Sequence, residues 1–436
     1  MNSSANALGE QIIAALRARG LLSSGQLQVA TGKSQPTLSR AIQALGPRLV
    51  ILGQGKATRY GLPQAVRGLV AQQPLWWTGT DGTLQRWGTA TLLEGQRLHV
   101  SAPGINVVTE GTLPWFMAPL RAQGFLGREW AQRLGFAANP DTWSLEEVLA
   151  AALAIDDAPG ALALGEPMGE WIPDTPTELP GLVQAYDALA ADVHARLPAR
   201  SSAGGEQAKF LTALDSGQRV LVKFSPPRGT PFGERWHDLL HLEALALGVL
   251  AAHGMAVAGT RIVESRTRTY LESTRFDRIG PQALGRRHAV ALDAVHDAFV
   301  QGPRQHWAAT CDALAQQRRL SEADASSVRT CMNFGWLIGN TDMHFGNLSL
   351  WADDPAKPVF ELAPLYDMLP MRWRPDAFHG LPDYAPFDAP NKLPGTAQAE
   401  QALALAQQFW KQAAAHAPLS KALRTVARDM AKRLRC

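Results

Sequence analysis

Trp336-Leu337-Ile338-Gly339-Asn340-Thr341-Asp342-Met343-His344-Phe345-Gly346-Asn347-Leu348-Ser349-Leu350 sets an apolar run, a polar loop and a second apolar run end to end. Apolar runs on both sides bury into a core and clamp the loop between them. The loop offers a carboxylate, Asp342, and a carboxamide, Asn347, five residues later. Both are oxygen donors, and a clamped loop holds them at a constant separation.

Protein kinases use the same Asp-to-Asn offset in their catalytic loop. There the Asp accepts or orients the substrate hydroxyl and the Asn holds Mg²⁺. That gives Asp342 the catalytic role and Asn347 a metal role. His344 reads as loop support through hydrogen bonds to nearby backbone or carboxylate.

Three features upstream and downstream extend the pattern. Leu362-Ala363-Pro364-Leu365-Tyr366-Asp367-Met368-Leu369 carries one acid in an apolar run, twenty residues after Asn347. Asp367 therefore stands where a second Mg²⁺ carboxylate belongs. Val220-Leu221-Val222-Lys223-Phe224 puts a lysine in an apolar strand, which is costly unless the charge is paired. In kinases such a lysine bonds the nucleotide phosphates and pairs with a helix glutamate. Glu243, in an apolar helical run with Leu239, Leu242, Ala246 and Leu250, is the candidate partner. Ser201-Ser202-Ala203-Gly204-Gly205-Glu206-Gln207-Ala208-Lys209-Phe210 joins small residues to a strand start, so backbone N–H groups can approach phosphates. It lacks the Walker A spacing. The nucleotide-binding set is thus Lys223, Gly204, Gly205, Lys209 and Glu243, and the cofactors expected are ATP and Mg²⁺.

The remaining composition is that of a globular chain. Of 436 residues, 46% are hydrophobic and 19% charged, enough apolar material for several cores. Three scattered cysteines make no disulfide framework or zinc motif, which fits a reducing cytoplasm. No signal peptide or apolar span is evident, so no membrane partner is expected.

Charge is unevenly spread. Residues 1–66 hold seven basic residues against one acid, a net of +6, while the rest holds 35 against 38, a net of −3. A basic unit on a slightly acidic body suggests a polyanion partner. In that unit Leu8, Ile12, Ile13 and Leu16 recur at helical spacing and Gly20 ends the helix. Ser24 is positioned to cap a second helix, and Ser34 a third with Pro36 in its first turn. Leu38, Ala41, Ile42 and Leu45 make one stripe; Gln35, Thr37, Ser39 and Arg40 lie off it. A hairpin through Gly53-Gln54-Gly55-Lys56 follows, with Lys56 and Arg59 at its wing. This is the plan of a winged helix-turn-helix, whose last helix reads duplex DNA and whose wing meets phosphates.

Between the two regions the signal is weaker. Thr89–Leu93 and Leu98–Val100 read as strands, 140–155 and 182–197 as helices, and 156–181 as a loop. Trp76, Trp77, Trp115 and Phe116 read as core.

With SSAGGEQAKF (201–210), VLVKF (220–224), AAHGMAV (251–257), TRFDR (274–278), NTDMHFGN (340–347) and LAPLYD (362–367) in place, the chain resembles the HipA-type serine/threonine kinases of toxin–antitoxin systems over roughly residues 75–415. The resemblance implies an α+β, kinase-like two-lobed fold behind the winged helix-turn-helix. It divides the chain into 1–68 (DNA-binding), 69–190 (N-terminal subdomain), 191–282 (N-lobe) and 283–436 (helical C-lobe). It also implies autophosphorylation at Ser201 or Ser202, a protein acceptor of the aminoacyl-tRNA synthetase class, a growth-inhibiting action and an antitoxin partner. The pattern departs at Gly346, where the family's loop has lysine, and in the fused DNA-binding arm. Gly346 fits the loop of aminoglycoside and choline phosphotransferases better, so a small-molecule acceptor is the alternative. A DNA-binding regulator with a silent kinase fold is the third reading.

Overall fold

The computed structural model describes the whole chain except residues 1, 54, 156, 168–174, 197–206, 377–378, 389–395 and 435–436. Helices and antiparallel sheets are both abundant, and the described residues gather into successive cores along the chain.

The N-terminal unit comprises α1 (Asn2–Arg19), β1 (Leu22–Ser23), α2 (Ser24–Thr31), α3 (Gln35–Leu45), β2 (Val50–Leu52) and β3 (Arg59–Gly61). Its strands pair in the order β1-β3-β2. Gly20 ends α1 at a φ of 76°, a left-handed value glycine adopts without penalty. The cap of α2 is Ser23 rather than Ser24: its hydroxyl accepts from Gln26 N–H while the Gln26 side chain accepts from Ser23 N–H. The Gln three residues on decides this, because only Ser23 completes the reciprocal box. Ser34 caps α3 positionally, but its hydroxyl bonds Thr37 instead of a backbone N–H. Ile12, Leu16, Leu27, Leu38 and Ile42 form the core of this unit.

Next comes an antiparallel sheet of β4 (Gln72–Thr78), β5 (Leu84–Leu93), β6 (Arg97–Ala102), β7 (Ile105–Glu110) and β8 (Leu162–Leu164), in the order β7-β6-β5-β4-β8. Helices α4 (Gly124–Leu134) and α5 (Leu145–Ala154) lie between β7 and β8. The stretch 156–181 is therefore not all loop. Leu162 and Leu164 are buried against β4, and three residues are too short to show a period in sequence. Phe116 is in this core, with Trp77 and Trp115 packed against it.

A second sheet follows α6 (Gly181–Arg196). It contains β9 (Lys209–Ala213), β10 (Arg219–Phe224), β11 (Thr260–Glu264) and β12 (Thr269–Thr274), in the order β11-β12-β10-β9. The long helix α7 (Pro231–Ala252) connects β10 to β11 and is buried along most of its length. A ribbon of β13 (Arg278–Ile279) and β14 (Gly285–Arg286) leads to a small sheet of β15 (Ala289–Ala291), β16 (Ser349–Trp351) and β17 (Glu361–Leu362). The last core is helical: α8 (Leu292–Phe299), α9 (Trp307–Gln316), α10 (Glu322–Ile338), α11 (Ala397–Ala415) and α12 (Lys421–Arg433). Phe334, Phe409 and Trp410 are fully buried there. No described helix is long and apolar enough to cross a membrane.

Candidate active site

Strand alternation sets the first part of the site. Lys223 in β10 pairs in register with Lys209 in β9, so two ammonium groups start from neighbouring strands. Helix α7 brings Glu243 to Lys223, with Nζ 2.6 Å from Oε1 and both residues buried. Asp367, after β17, contacts the same Nζ. Burial alone would lower the Lys223 pKa, but Asp367 and Glu243 outweigh it and hold the ammonium charged. Burial raises the Glu243 pKa despite Lys223. At Asp367 burial opposes ionisation, yet Lys223 and Lys209 pull its pKa below the usual carboxylate range. Burial lowers the Lys209 pKa.

Asp367 has a φ of 53°, strained backbone for a residue with a Cβ. Neighbouring contacts hold it there. Leu365 N–H donates to Ala256, Ala258 N–H donates back to Leu365, and the Tyr366 hydroxyl donates to the Gly346 carbonyl at 2.9 Å.

The loop quoted at the outset leaves α10 through Gly339, which is left-handed at a φ of 80°. Asn340 then does what no spacing revealed. It is buried; its Oδ1 accepts from Asp342 N–H at 3.0 Å, and its Nδ2 donates to the Asp367 carbonyl at 3.4 Å. One side chain thus links the two acid-bearing segments. Asn347 donates from Nδ2 to the Asp342 carbonyl at 2.8 Å, which leaves its Oδ1 for another contact. His344 Nδ1 accepts from Gly346 N–H at 3.1 Å and the Trp307 indole donates to the His344 carbonyl, so His344 supports the loop. A Cβ at Gly346 would meet that imidazole at 3.0 Å, so a larger residue would require the ring to shift.

A cleft of about 1220 Å³ runs over the site. Lys209, Lys223, Ser349, Tyr366 and Asp367 line it on the lobe side, and Trp115, Trp130 and Arg121 on the side of the first large sheet. Asp293 and Asp297 of α8 also face it, a pair the sequence did not single out. Asp342 and Asn347 are half-buried in the adjoining loop and do not line the cleft. Ser201, Ser202, Gly204 and Gly205 lie outside the described residues. At the far end of the chain, Gln35, Ser39, Arg40, Lys56 and Arg59 are exposed and Thr37 is partly so. Gln35 accepts from both Ser24 and Gln28, which fixes its carboxamide to α2.

Comparison with known proteins bears on these arrangements. Residues 201–435 match the HipA-like C-terminal domain, and residues 69–172 match the middle domain of YjjJ-like toxins. Over 433 residues the chain is 34% identical to Toxin YjjJ of Escherichia coli K12, covering 96% of each sequence. Its fold resembles HipA of Shewanella oneidensis MR-1, solved with HipB and operator DNA, at a TM-score of 0.54 and 18% identity, over 83% of this chain and 95% of that one.

Proposed function

This chain belongs to the HipA-like toxin family, with a kinase-like fold, and from that premise we propose that it is an ATP- and Mg²⁺-dependent kinase of protein serine or threonine hydroxyls. The observation that carries the reading is Lys223 held by Glu243 and Asp367 at the cleft, with Lys209 beside it.

The residues suit Mg²⁺·ATP. Two lysines on paired strands put cationic groups at the cleft where nucleotide phosphates would lie. Glu243 leaves Oε2 buried and without a partner, so the clasp is not closed on itself. Asp367 and the free Oδ1 of Asn347 are hard oxygen donors of the kind Mg²⁺ takes. When bound, Mg²⁺·ATP supplies the transferable phosphoryl group. Lys223 then holds the phosphates and Glu243 fixes Lys223. Asp342 accepts the acceptor's hydroxyl proton, and Asn340 keeps Asp342 in step with Asp367. Such preorganised charge is the main source of catalysis in phosphoryl transfer.

The acceptor is a protein, with aminoacyl-tRNA synthetases as the target class the resemblance suggests. Loop-serine autophosphorylation at Ser201 or Ser202 accompanies it. Residues 1–68 bind duplex DNA, with α3 as the reading helix and Lys56 and Arg59 on phosphates. Support comes from their exposure, the basic charge and the operator DNA bound in the HipA complex. HipB in that complex also supports an antitoxin partner. The buried, free Cys311 and Cys331 are compatible with a reducing cytoplasm. A small-molecule acceptor is the second reading, favoured by Gly346.

Labelled ATP with Mg²⁺, given to the chain alone and with cell lysate, tests this against Asp342→Asn. Label on loop serine or lysate protein, lost in the variant, is expected. Label only in small molecules favours the second reading. No label and no ATP binding leaves a silent fold that regulates through DNA.

A further inference from the structure

Glu243 occupies one face of α7. Two residues before it comes His241, and four before that His237. Residues four apart share a helix face, whereas a step of two turns about 200° to the opposite side. His237 and His241 therefore present a second face, away from Glu243, and β11 delivers Glu264 to it.

One ligand atom from each of His237, His241 and Glu264 lies within 4.8 Å of the other two. His241 Nε2 is 3.1 Å and His237 Nδ1 4.0 Å from Glu264 Oε1. Both histidines are buried, and Glu264 is open to solvent, which provides an entry path.

The outer contacts decide the chemistry. His237 Nε2 is 3.0 Å from the Pro418 carbonyl, which can only accept. A proton of His237 is therefore on Nε2, and in the neutral ring Nδ1 is a lone pair. Thr269 Oγ1 donates to that lone pair at 2.7 Å, and it is a hydroxyl able to turn away. That lone pair stands 4.0 Å from Glu264 Oε1, and a cation between them would take the place of the Thr269 hydroxyl. His416 Nε2 lies 3.0 Å from His241 Nδ1, ready to accept a proton from it and free Nε2 as a donor to a cation. A backbone carbonyl behind a ligating histidine is a usual support of a metal site, and the His416 ring nitrogen stands in the corresponding place behind His241. Arg228 reaches only the other oxygen, Oε2, at 3.7 Å.

We propose that His237, His241 and Glu264 form a site for a divalent transition-metal cation, of which Zn²⁺ is the best fit, with water completing the coordination. Two imidazoles and a carboxylate are donors of borderline softness, which favour Zn²⁺ over Mg²⁺ or Ca²⁺. The ion would tie α7, which carries Glu243, to β11. Through Pro418 and His416 it would also tie α7 to the turn between α11 and α12. The site uses no residue of the nucleotide cleft.

Zn²⁺ alone is the probe, titrated into the untagged full chain against a chromophoric chelator, with the unfolding midpoint followed in parallel. Wild type is expected to take about one equivalent and to unfold at a higher temperature with Zn²⁺. His237→Asn with His241→Asn abolishes both effects. Glu264→Gln keeps the size of a solvent-exposed side chain, so its folding is not in question; it weakens binding by more than the roughly 10- to 100-fold that loss of an outer partner costs. His416→Ala loses about that outer-partner factor. Wild type without Zn²⁺ binding, or Glu264→Gln binding as tightly as wild type, would overturn the site.

Discussion

Two buried charge clusters sit on neighbouring parts of this molecule and are built differently. The first is Lys223 with Glu243, Asp367 and nearby Lys209. The second is Arg275 and Arg278 with Asp157 and Asp277. In the second every group is held several times. Arg275 donates to both oxygens of Asp277 at 3.1 and 2.8 Å, and Arg278 reaches Asp277 at 2.7 Å and Asp157 at 2.7 Å. Carbonyls of Ala158 and Gly160 accept from Arg278, and Gly160 N–H donates to Asp277. Burial would raise the Asp277 pKa, but the two arginines drive it far below the usual range. The first cluster uses lysines, which are point charges, and leaves Glu243 Oε2 orphaned. Planar guanidinium forks close a network, whereas ammonium groups leave contacts to be made. The second network fastens the segment carrying Asp157 to that carrying Arg275; the first leaves one carboxylate oxygen without a partner.

If that distinction holds, variants of the two clusters separate activity from stability. Asp367→Asn is expected to cut phosphoryl transfer by about 10²–10³-fold or more while the unfolding midpoint moves little. A large fall in the midpoint would place Asp367 with the structural cluster. Asp277→Asn should do the reverse. It leaves buried Arg275 and Arg278 to share Asp157 and should cost about 3–5 kcal/mol in chemical denaturation, with turnover per folded molecule falling less than in Asp367→Asn, although Arg275 and Asp277 also line the cleft.

A buried neutral histidine beside the second cluster sharpens the contrast through pH. His288 accepts from Ala161 N–H at Nδ1 and donates from Nε2 to the Phe116 carbonyl. Burial lowers its pKa from 6.5 to about 4. The folded value lies below the unfolded one, so its contribution is whole above pH 6.5 and shrinks as pH falls toward 4. Stability should drop by roughly 1.4 kcal/mol per pH unit across that window from this group. His288→Gln should flatten that slope; an unchanged slope assigns it to other groups.

The smallest expected effect is at the exposed end. Arg59→Ala should weaken duplex DNA binding evenly across sequences and reduce the salt slope by about one ion. No change would remove the wing from the interface.

Much of the first cluster was legible from residue order. An apolar strand with one lysine, and apolar runs around Asp342 and Asp367, mark charges a core tolerates only for a reason. Glu243 was readable for the same cause, as a carboxylate in a helix too apolar for it. The second cluster was not. Arg275, Asp277 and Arg278 all lie in the quoted stretch 274–278, but the partner that completes the cluster, Asp157, is more than a hundred residues away and looks like an ordinary surface charge in its own segment. Asn340 was quoted in the loop yet given no task, because its second partner, the Asp367 carbonyl, belongs to another segment. The strand β8 escaped for a related reason: three residues carry no period, and only pairing with β4 makes them a strand.

Local chemistry therefore settled which residue types stand ready: the Asp342–Asn347 loop, the strand lysine, the Asp367 run, the basic N-terminal helices and the small turn at Gly346. Tertiary structure alone decided which of them meet. It closed Lys223 onto Glu243 and Asp367, joined the two acidic segments through Asn340 and turned His237 and His241 toward Glu264. The reason is physical. Hydrophobic periodicity and caps are interactions among near neighbours in the chain, whereas the pairing of buried charges depends on distances that exist only after the cores have packed.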